Sequence, residues 1–289
     1  MNKQGLYDPI FEHDACGIGF VVNIDGKKTH KIIEEGITIL CNLEHRGAVG
    51  GDQKTGDGAG MLIQIPHAFL KNKVDFKLPD PGKYGAGFFF LPKKKKDNEQ
   101  ARKMIWDITQ REGGQFLGWR EVPIDPECLG EIAKETIPSF WQGFITFDGL
   151  ANAALERKLY IVRRCFENEA VNYGWDMNAF YIPSLSCRII IYKGMFVSTQ
   201  FSTFYPDLQD EQFTSAISLV HQRYSTNTFP SWPLAQPFRF LAHNGEINTL
   251  RGNINKTIER DATLSSPIFG DDITKILPVI NPKASDSDL

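Results

Sequence analysis

The sequence lacks the features that mark several classes of protein. No apolar run approaches the length of a membrane span. The first 15 residues carry three acidic residues and no continuous apolar centre, which argues against a secretory signal. A strong excess of one charge is also absent, since 32 Lys and Arg face 35 Asp and Glu for a net charge of -3. Neither nucleic acid nor a membrane is therefore an expected partner.

Cysteine is scarce, with five residues at positions 16, 41, 128, 165 and 187. The count is odd, the spacings are wide and no Cys-x-x-Cys occurs, which argues against a disulfide framework and a zinc site. The six histidines form no His-Glu-x-x-His pattern, so no metal site is predicted. These observations favour a reducing compartment, the cytoplasm or the interior of an organelle.

What the chain does contain is enough apolar material for a large core. Hydrophobic residues make up 42% of the 289 positions, and 21 of them are Phe. Alternating and helical patterns of apolar residues predict an α+β fold, in which paired strands and separate long helices form layers. The predicted strands cover 17–24, 58–65, 84–91, 188–192, 195–199, 216–222 and 238–243, with a hairpin turn at Lys193-Gly194. The predicted helices cover 31–43, 98–112, 151–170 and 252–264.

The segment Gly56-Asp57-Gly58-Ala59-Gly60 resembles a phosphate-binding loop in composition. A dinucleotide-binding loop must open a helix, whereas the residues that follow, 61–65, read as a strand. A tight turn or a close backbone approach is the favoured interpretation, ahead of nucleotide binding.

Cys16 lies in a setting that suggests chemistry, just before the first predicted strand. If residues 1–15 were removed, Cys16 would carry a free α-amine beside its own thiol. An α-amine has a pKa of about 7.7–8.0 and can serve as a general base, so one residue would supply both nucleophile and base. From spacing alone, a small buried hydrophobe remains the simpler interpretation.

The block 221–253 holds a second group of candidates. Its loop between Ser225 and Pro237 is rich in turn-forming residues and could close over a small ligand, while Arg223 at its base could hold a carboxylate. Asn244-Gly245 is either a hairpin turn or an oxyanion hole made by the side-chain amide and a backbone N–H. Asp286 could pair with an ammonium group, although an Asp near a chain end is usually solvated.

Five motifs in this order resemble the class II glutamine amidotransferases, which are N-terminal-nucleophile hydrolases. The motifs are Cys-Gly-Ile-Gly from 16, His-Arg-Gly from 45, Arg-Tyr-Ser-Thr from 223, His-Asn-Gly-Glu from 243 and Ser-Asp-Ser-Asp from 285. The glycine-rich segment and the block 221–253 narrow the resemblance to the branch that makes glutamate. The similarity runs along the whole chain and implies a four-layer αββα sandwich.

The resemblance also implies a role for each matching residue. Cys16 would be the nucleophile, exposed by loss of a propeptide covering residues 1–15, within a domain of residues 16–289 that ends before the family's own domain does. Loop 224–236 would be the glutamine lid. Asn244 and Gly245 would form the oxyanion hole, Arg223 with Thr226 and Asn227 would hold the glutamine α-carboxylate, and Asp286 would hold the α-ammonium.

The implied reaction releases ammonia from glutamine and passes it to 2-oxoglutarate in a synthase region of the same chain. That region would use FMN and an iron–sulfur cluster, supplied with electrons by a small reductase subunit or a ferredoxin. No cofactor is expected within these 289 residues. Two alternatives stay open: another class II amidotransferase with a different ammonia acceptor, and a catalytically silent domain that binds glutamine or only packs against a partner.

Overall fold

The computed structural model describes Gly5 and residues 17–224, 228–282 and 284–289. These residues form eight strands and seven α-helices, together with several short 3₁₀ segments. The strands are β1 (Ile18–Val22), β2 (Ala59–Gln64), β3 (Gly85–Leu91), β4 (Gln115–Glu121), β5 (Ser139–Thr146), β6 (Tyr181–Ser186), β7 (Ile189–Gly194) and β8 (Ile217–Gln222). The helices are α1 (Lys31–Asn42), α2 (His67–Lys73), α3 (Lys95–Arg111), α4 (Glu131–Glu135), α5 (Asn152–Asn172), α6 (Phe201–Phe204) and α7 (Leu250–Asp261).

The strands form two antiparallel sheets of four. One has the order β1-β8-β2-β7 and the other β4-β5-β3-β6. Two antiparallel sheets with packed helices confirm the predicted fold class. The short connection between β6 and β7 links the sheets, because β6 belongs to one sheet and β7 to the other.

Helices cover the sheets through apolar stripes that the sequence pattern predicts. The buried side chains of α3 and α5, among them Ile105 and Leu159, share an apolar cluster with Phe89 of β3. Helix α1 crosses β1 and β8 closely enough that a Cβ on Gly36 would lie 2.1 Å from Ser218 Oγ. Within the described residues, no helix combines the length and apolarity needed to cross a bilayer.

Aromatic side chains fill the core between the two sheets. Tyr192 of β7 meets Phe88 of β3, with ring centroids 4.8 Å apart. Beside it, Arg120 and Asp207 form a buried ion pair at 2.6 Å, and Tyr192 donates to the same carboxylate. The high phenylalanine content therefore serves the core, as the composition predicts.

Two predicted strands are wrong. Residues 195–199 do not form a strand, so the predicted hairpin is wrong, and Lys193-Gly194 ends β7. Residues 238–243 are also not a strand, since the backbone groups of Phe238 and Leu241 bond to each other and close a turn. Strands β4, β5 and β6 were not predicted, although the remaining predicted strands and all predicted helices are present within a few residues.

Candidate active site

The candidate site lies where β1 begins beside the end of β8. The antiparallel register pairs Ile18 with His221, and the Gln222 N–H donates to the Gly17 carbonyl at 2.7 Å. This pairing fixes the residue after Cys16 next to the start of the 221–253 block. Cys16 itself lies outside the described residues.

Gly17 is packed so tightly that only glycine fits. A Cβ at this position would lie 2.7 Å from the Gln222 carbonyl oxygen and 2.9 Å from Asn244 Oδ1. Contacts below 3.0 Å essentially never occur for a real Cβ, so a larger residue would displace one of these neighbours.

The structure brings Asn244 to the start of β1. Its Oδ1 accepts a hydrogen bond from the Gly17 N–H at 2.8 Å, across 227 positions of sequence. The opposite end of this amide is an NH₂ group, the kind of donor that an oxyanion requires. Gly245 follows directly, so the predicted pair lies beside the residue that follows Cys16.

A buried glutamine holds the segment that carries Asn244. The Gln236 side chain donates to the His243 carbonyl and accepts from the His243 N–H, both at 2.8 Å. Gln236 is almost fully buried, so these bonds are shielded from water. The two bonds fix the backbone immediately before Asn244.

Arg223 is held by an acidic residue that the sequence analysis did not assign to the site. Its Nε lies 2.9 Å from Asp57 Oδ2, which belongs to the glycine-rich segment. The Arg223 N–H also donates to the Gly58 carbonyl at 2.7 Å. The glycine-rich segment is thus a turn that enters β2 and supports Arg223, in keeping with a close backbone approach. Asp57 lies between two glycines just before a strand, and this placement is the signal from which its part in the site could have been predicted.

Burial and the charge of Arg223 act in opposite directions on the pKa of Asp57. Its side chain is 5% exposed, whereas that of Arg223 is 38% exposed. Burial raises the pKa of the Asp57 carboxyl, and the Arg223 guanidinium offsets part of that rise. The carboxylate is costly to bury, and Arg223 supplies its compensating charge.

Asp286 lies next to the Asn244 segment and is buried rather than solvated. Its Oδ2 accepts from the Ile247 N–H at 2.9 Å, and its Oδ1 accepts from the Ser287 hydroxyl at 3.1 Å. Ser287 Oγ also lies 3.4 Å from His243 Nδ1. The turn at 284–288 therefore packs against the segment that carries Asn244, and Asn244 in turn contacts Gly17.

The predicted lid divides into two parts. Thr226 and Asn227 lie outside the described residues. Residues 232–236 are buried, with Trp232 at 2% exposure inside the aromatic core, and a β-bridge joins Tyr224 to Ala235. Among the described residues of the loop, those at 228–231 are partly or fully exposed, with Phe229 at 91%.

Four cysteines lie in the described part of the chain, and none of them is in a disulfide. Burial raises the pKa of Cys128 to about 11 and that of Cys187 to about 12, and it also raises the pKa values of Cys41 and Cys165. A thiolate nucleophile needs the opposite shift. Within the described residues, no thiol is prepared for nucleophilic attack.

His221 is a buried histidine at the edge of the site. It is 1% exposed, and the backbone of Arg223 and of His243 lies close to its ring. Burial lowers its pKa to about 4, so the ring is neutral at physiological pH. No group of three or more potential metal ligands occurs in the described part of the chain.

The chain belongs to the glutamine amidotransferases of class II, whose family model matches residues 16–289. It is 47% identical over 289 residues to the large chain of an NADPH glutamate synthase from Bacillus subtilis, covering 99% of this chain and 19% of that one. It is 42% identical to an NADH glutamate synthase from Saccharomyces cerevisiae, covering 99% of this chain and 14% of the relative. A ferredoxin-dependent chloroplastic glutamate synthase from Arabidopsis thaliana is 42% identical, with 98% and 18% covered. The chain thus spans about a fifth or less of the relatives it matches.

Proposed function

We propose that this chain is the glutaminase domain of a glutamate synthase, with Cys16 as its N-terminal nucleophile after loss of residues 1–15. The observation that supports this most directly is the 2.8 Å hydrogen bond between Gly17 N–H and Asn244 Oδ1. It places an amide beside the residue that follows Cys16, where an oxyanion donor is needed. Membership in the class II amidotransferases supplies the substrate class, glutamine.

In the proposed reaction, the Cys16 thiol transfers its proton to its own α-amine, and the sulfur attacks the glutamine side-chain amide carbon. The tetrahedral oxyanion accepts hydrogen bonds from the Asn244 side chain and the Gly245 N–H. The C–N bond then breaks, and the α-amine returns the proton to the leaving ammonia. Water hydrolyses the resulting γ-glutamyl thioester and releases glutamate.

The charged residues around Gly17 would fix the substrate. Arg223, oriented by Asp57, would hold the α-carboxylate together with Thr226 and Asn227. Asp286 would pair with the α-ammonium, and its own hydrogen bond from Ile247 N–H holds the carboxylate in place.

We further propose that the ammonia is consumed in a synthase region of the same chain, where it aminates 2-oxoglutarate. FMN and an iron–sulfur cluster would supply the reducing chemistry there. The described residues do not fit a cluster, because no three of their Cys, His, Asp or Glu side chains form a metal-binding group. A reductase subunit or a ferredoxin would deliver electrons to that region.

Intact-mass analysis of the full-length protein, with and without a diazoketone analogue of glutamine, tests this proposal. We expect loss of residues 1–15 and one covalent adduct, which the Cys16→Ala variant does not form. A folded protein that retains Met1 and forms no adduct would favour a silent binding domain. A processed, reactive domain that does not support glutamate formation would indicate another class II amidotransferase.

The oxyanion role has its own test in the Asn244→Ala variant. Removing one oxyanion donor costs about 10²–10³ in kcat, with little change in glutamine affinity. Steady-state glutaminase assays give both quantities. A large rise in KM at unchanged kcat would assign Asn244 to substrate binding instead.

A further inference from the structure

Lys193 is a fully buried lysine that the proposed reaction does not use. It lies on β7, with a side-chain environment made mostly of aromatic rings. Its Nζ donates to the Pro233 carbonyl at 2.7 Å and lies 4.4 Å from the centre of the Phe238 ring. Burying an ammonium group is costly without such partners, so these contacts define where the side chain can lie.

A second set of contacts joins Lys193 to the 284–288 turn. Its Nζ lies 3.5 Å from the Tyr181 hydroxyl, and that hydroxyl donates to Asp288 Oδ1 at 2.6 Å. Burial lowers the pKa of Lys193 well below its ordinary value, while the Asp288 carboxylate opposes the shift. Arg239 adds a further cation 3.9 Å from Asp288.

The contacts of Lys193 lead to two segments that border the candidate site, the lid loop and the 284–288 turn. Pro233 belongs to the buried second part of the lid loop, three residues before Gln236, which binds the His243 backbone. Asp288 lies two residues after Asp286 and in the same turn. The two segments are separated in sequence, and Lys193 reaches the first directly at Pro233 and the second through the Tyr181 hydroxyl.

We propose that Lys193 is a positioning residue for glutamine binding, which ties the lid loop at Pro233 to the 284–288 turn through Tyr181 and Asp288. This inference rests on the proposed glutaminase function. Within the described residues, the Lys193 ammonium group contacts Pro233, Tyr181 and Phe238. It sets the distance between the end of the lid and Asp286, and thereby the shape of the pocket that receives the α-ammonium and α-carboxylate groups.

The distinction between positioning and mere stability determines the experiment. A residue that only stabilises the fold lowers the active fraction, so Vmax falls while KM stays constant. A residue that positions binding groups alters KM, because interactions made equally in the ground and transition states affect binding rather than kcat. Small displacements of such groups are costly, up to about 10²-fold.

The test compares Lys193→Met with wild type in the full-length protein, using glutaminase kinetics at saturating and limiting glutamine. We expect KM to rise about 10- to 100-fold, with kcat per active site, counted by covalent titration, within about threefold. Tyr181→Phe removes only the bridging hydroxyl and should raise KM in the same direction by about threefold. This milder variant keeps the test valid if Lys193→Met does not fold.

Lys158→Met is the matched control. Lys158 is a largely buried lysine on α5 that pairs with Glu112 at 3.0 Å, and within the described residues it has no recorded bond to the lid loop or the 284–288 turn. It should lose thermal stability at unchanged KM. Unchanged KM in both Lys193→Met and Tyr181→Phe, with only stability reduced, would overturn the positioning role. Absence of glutamine turnover in wild type would instead reject the proposed function itself.

Discussion

The Asp57→Asn substitution tests whether Asp57 orients Arg223 for substrate binding or only stabilises the fold. The change is nearly isosteric and removes the negative charge that faces Arg223 Nε at 2.9 Å. Misplacing a group that binds substrate weakens its contribution by up to about 10²-fold. Because the Arg223 N–H keeps its bond to the Gly58 carbonyl, so that only the side chain loses its support, we expect a smaller loss of about 1–2 kcal/mol in glutamine binding. This corresponds to a rise in KM of about 5- to 30-fold.

The free energy of unfolding of Asp57→Asn should rise or stay constant, although glutamine binding weakens. Burial raises the pKa of Asp57, so at neutral pH the ionised carboxylate opposes folding, and wild-type stability gains as pH falls through that raised pKa. The neutral asparagine avoids this cost. Glutaminase kinetics and urea unfolding on the same preparations give both quantities.

Asp52→Asn is the matched control from the same loop. Hydrogen bonds from Thr55 hold the pKa of Asp52 below its usual range, so its charge favours folding above the unfolded pKa. This variant should lose stability without a change in KM. An unchanged KM in Asp57→Asn would refute the idea that Asp57 orients the carboxylate-binding arginine.

Three further predictions concern other parts of the site and core. Gly17→Ala should lower kcat about tenfold or more, because its Cβ displaces an oxyanion donor, whereas Gly51→Ala, with open space around its Cβ, should leave the same assay unchanged. His221→Gln should flatten the pH dependence of urea unfolding, because the wild-type ring has a pKa lowered from 6.5 to about 4 in the folded protein. As pH falls from 6.5 to 4, the unfolded wild-type chain takes up a proton that the folded ring does not, which removes about 3 kcal/mol of stability; equal slopes in both proteins would contradict this. Asp207→Asn should cost about 3–5 kcal/mol of unfolding free energy, since it leaves the buried guanidinium of Arg120 without its partner, and a loss below 1 kcal/mol would show that the core tolerates that charge.

The strands that sequence patterns missed have identifiable physical causes. β6 contains Pro183, which removes a backbone donor and argues against a strand in the centre of a sheet. The structure places β6 at the edge of its sheet, opposite a register shift between Phe88 and Phe90, where a missing donor is tolerated. β5 carries large aromatic residues on both faces, since Phe140 and Trp141 are adjacent, and in β4 a register shift between Phe116 and Gly118 breaks the alternation and brings Phe116 and Trp119 together on one face. Edge position and aromatic packing are tertiary properties that a local pattern does not contain.

The residues of the candidate site that lie in sequence motifs could be named from the sequence. Asn244 and Asp286 were both named from sequence, and the structure brings their segments together. The contribution of Asp57 was not predicted, because its partner Arg223 is 166 positions away and the glycine-rich segment was interpreted only as a turn. Lys193 was missed for a related reason, since its partners come from three separate segments.

The pairing of β1 with β8 fixes which residues lie opposite each other at the candidate site. Ile18 faces His221, and each later residue of β1 faces the preceding residue of β8 without a bulge. Because this register is continuous, it fixes the position of Arg223 relative to the start of β1. A shift of the register by one residue would turn every side chain of β1 to the opposite face of the sheet. Variants of this segment must therefore preserve both the single-residue spacing between Cys16 and β1 and the glycine that fills it.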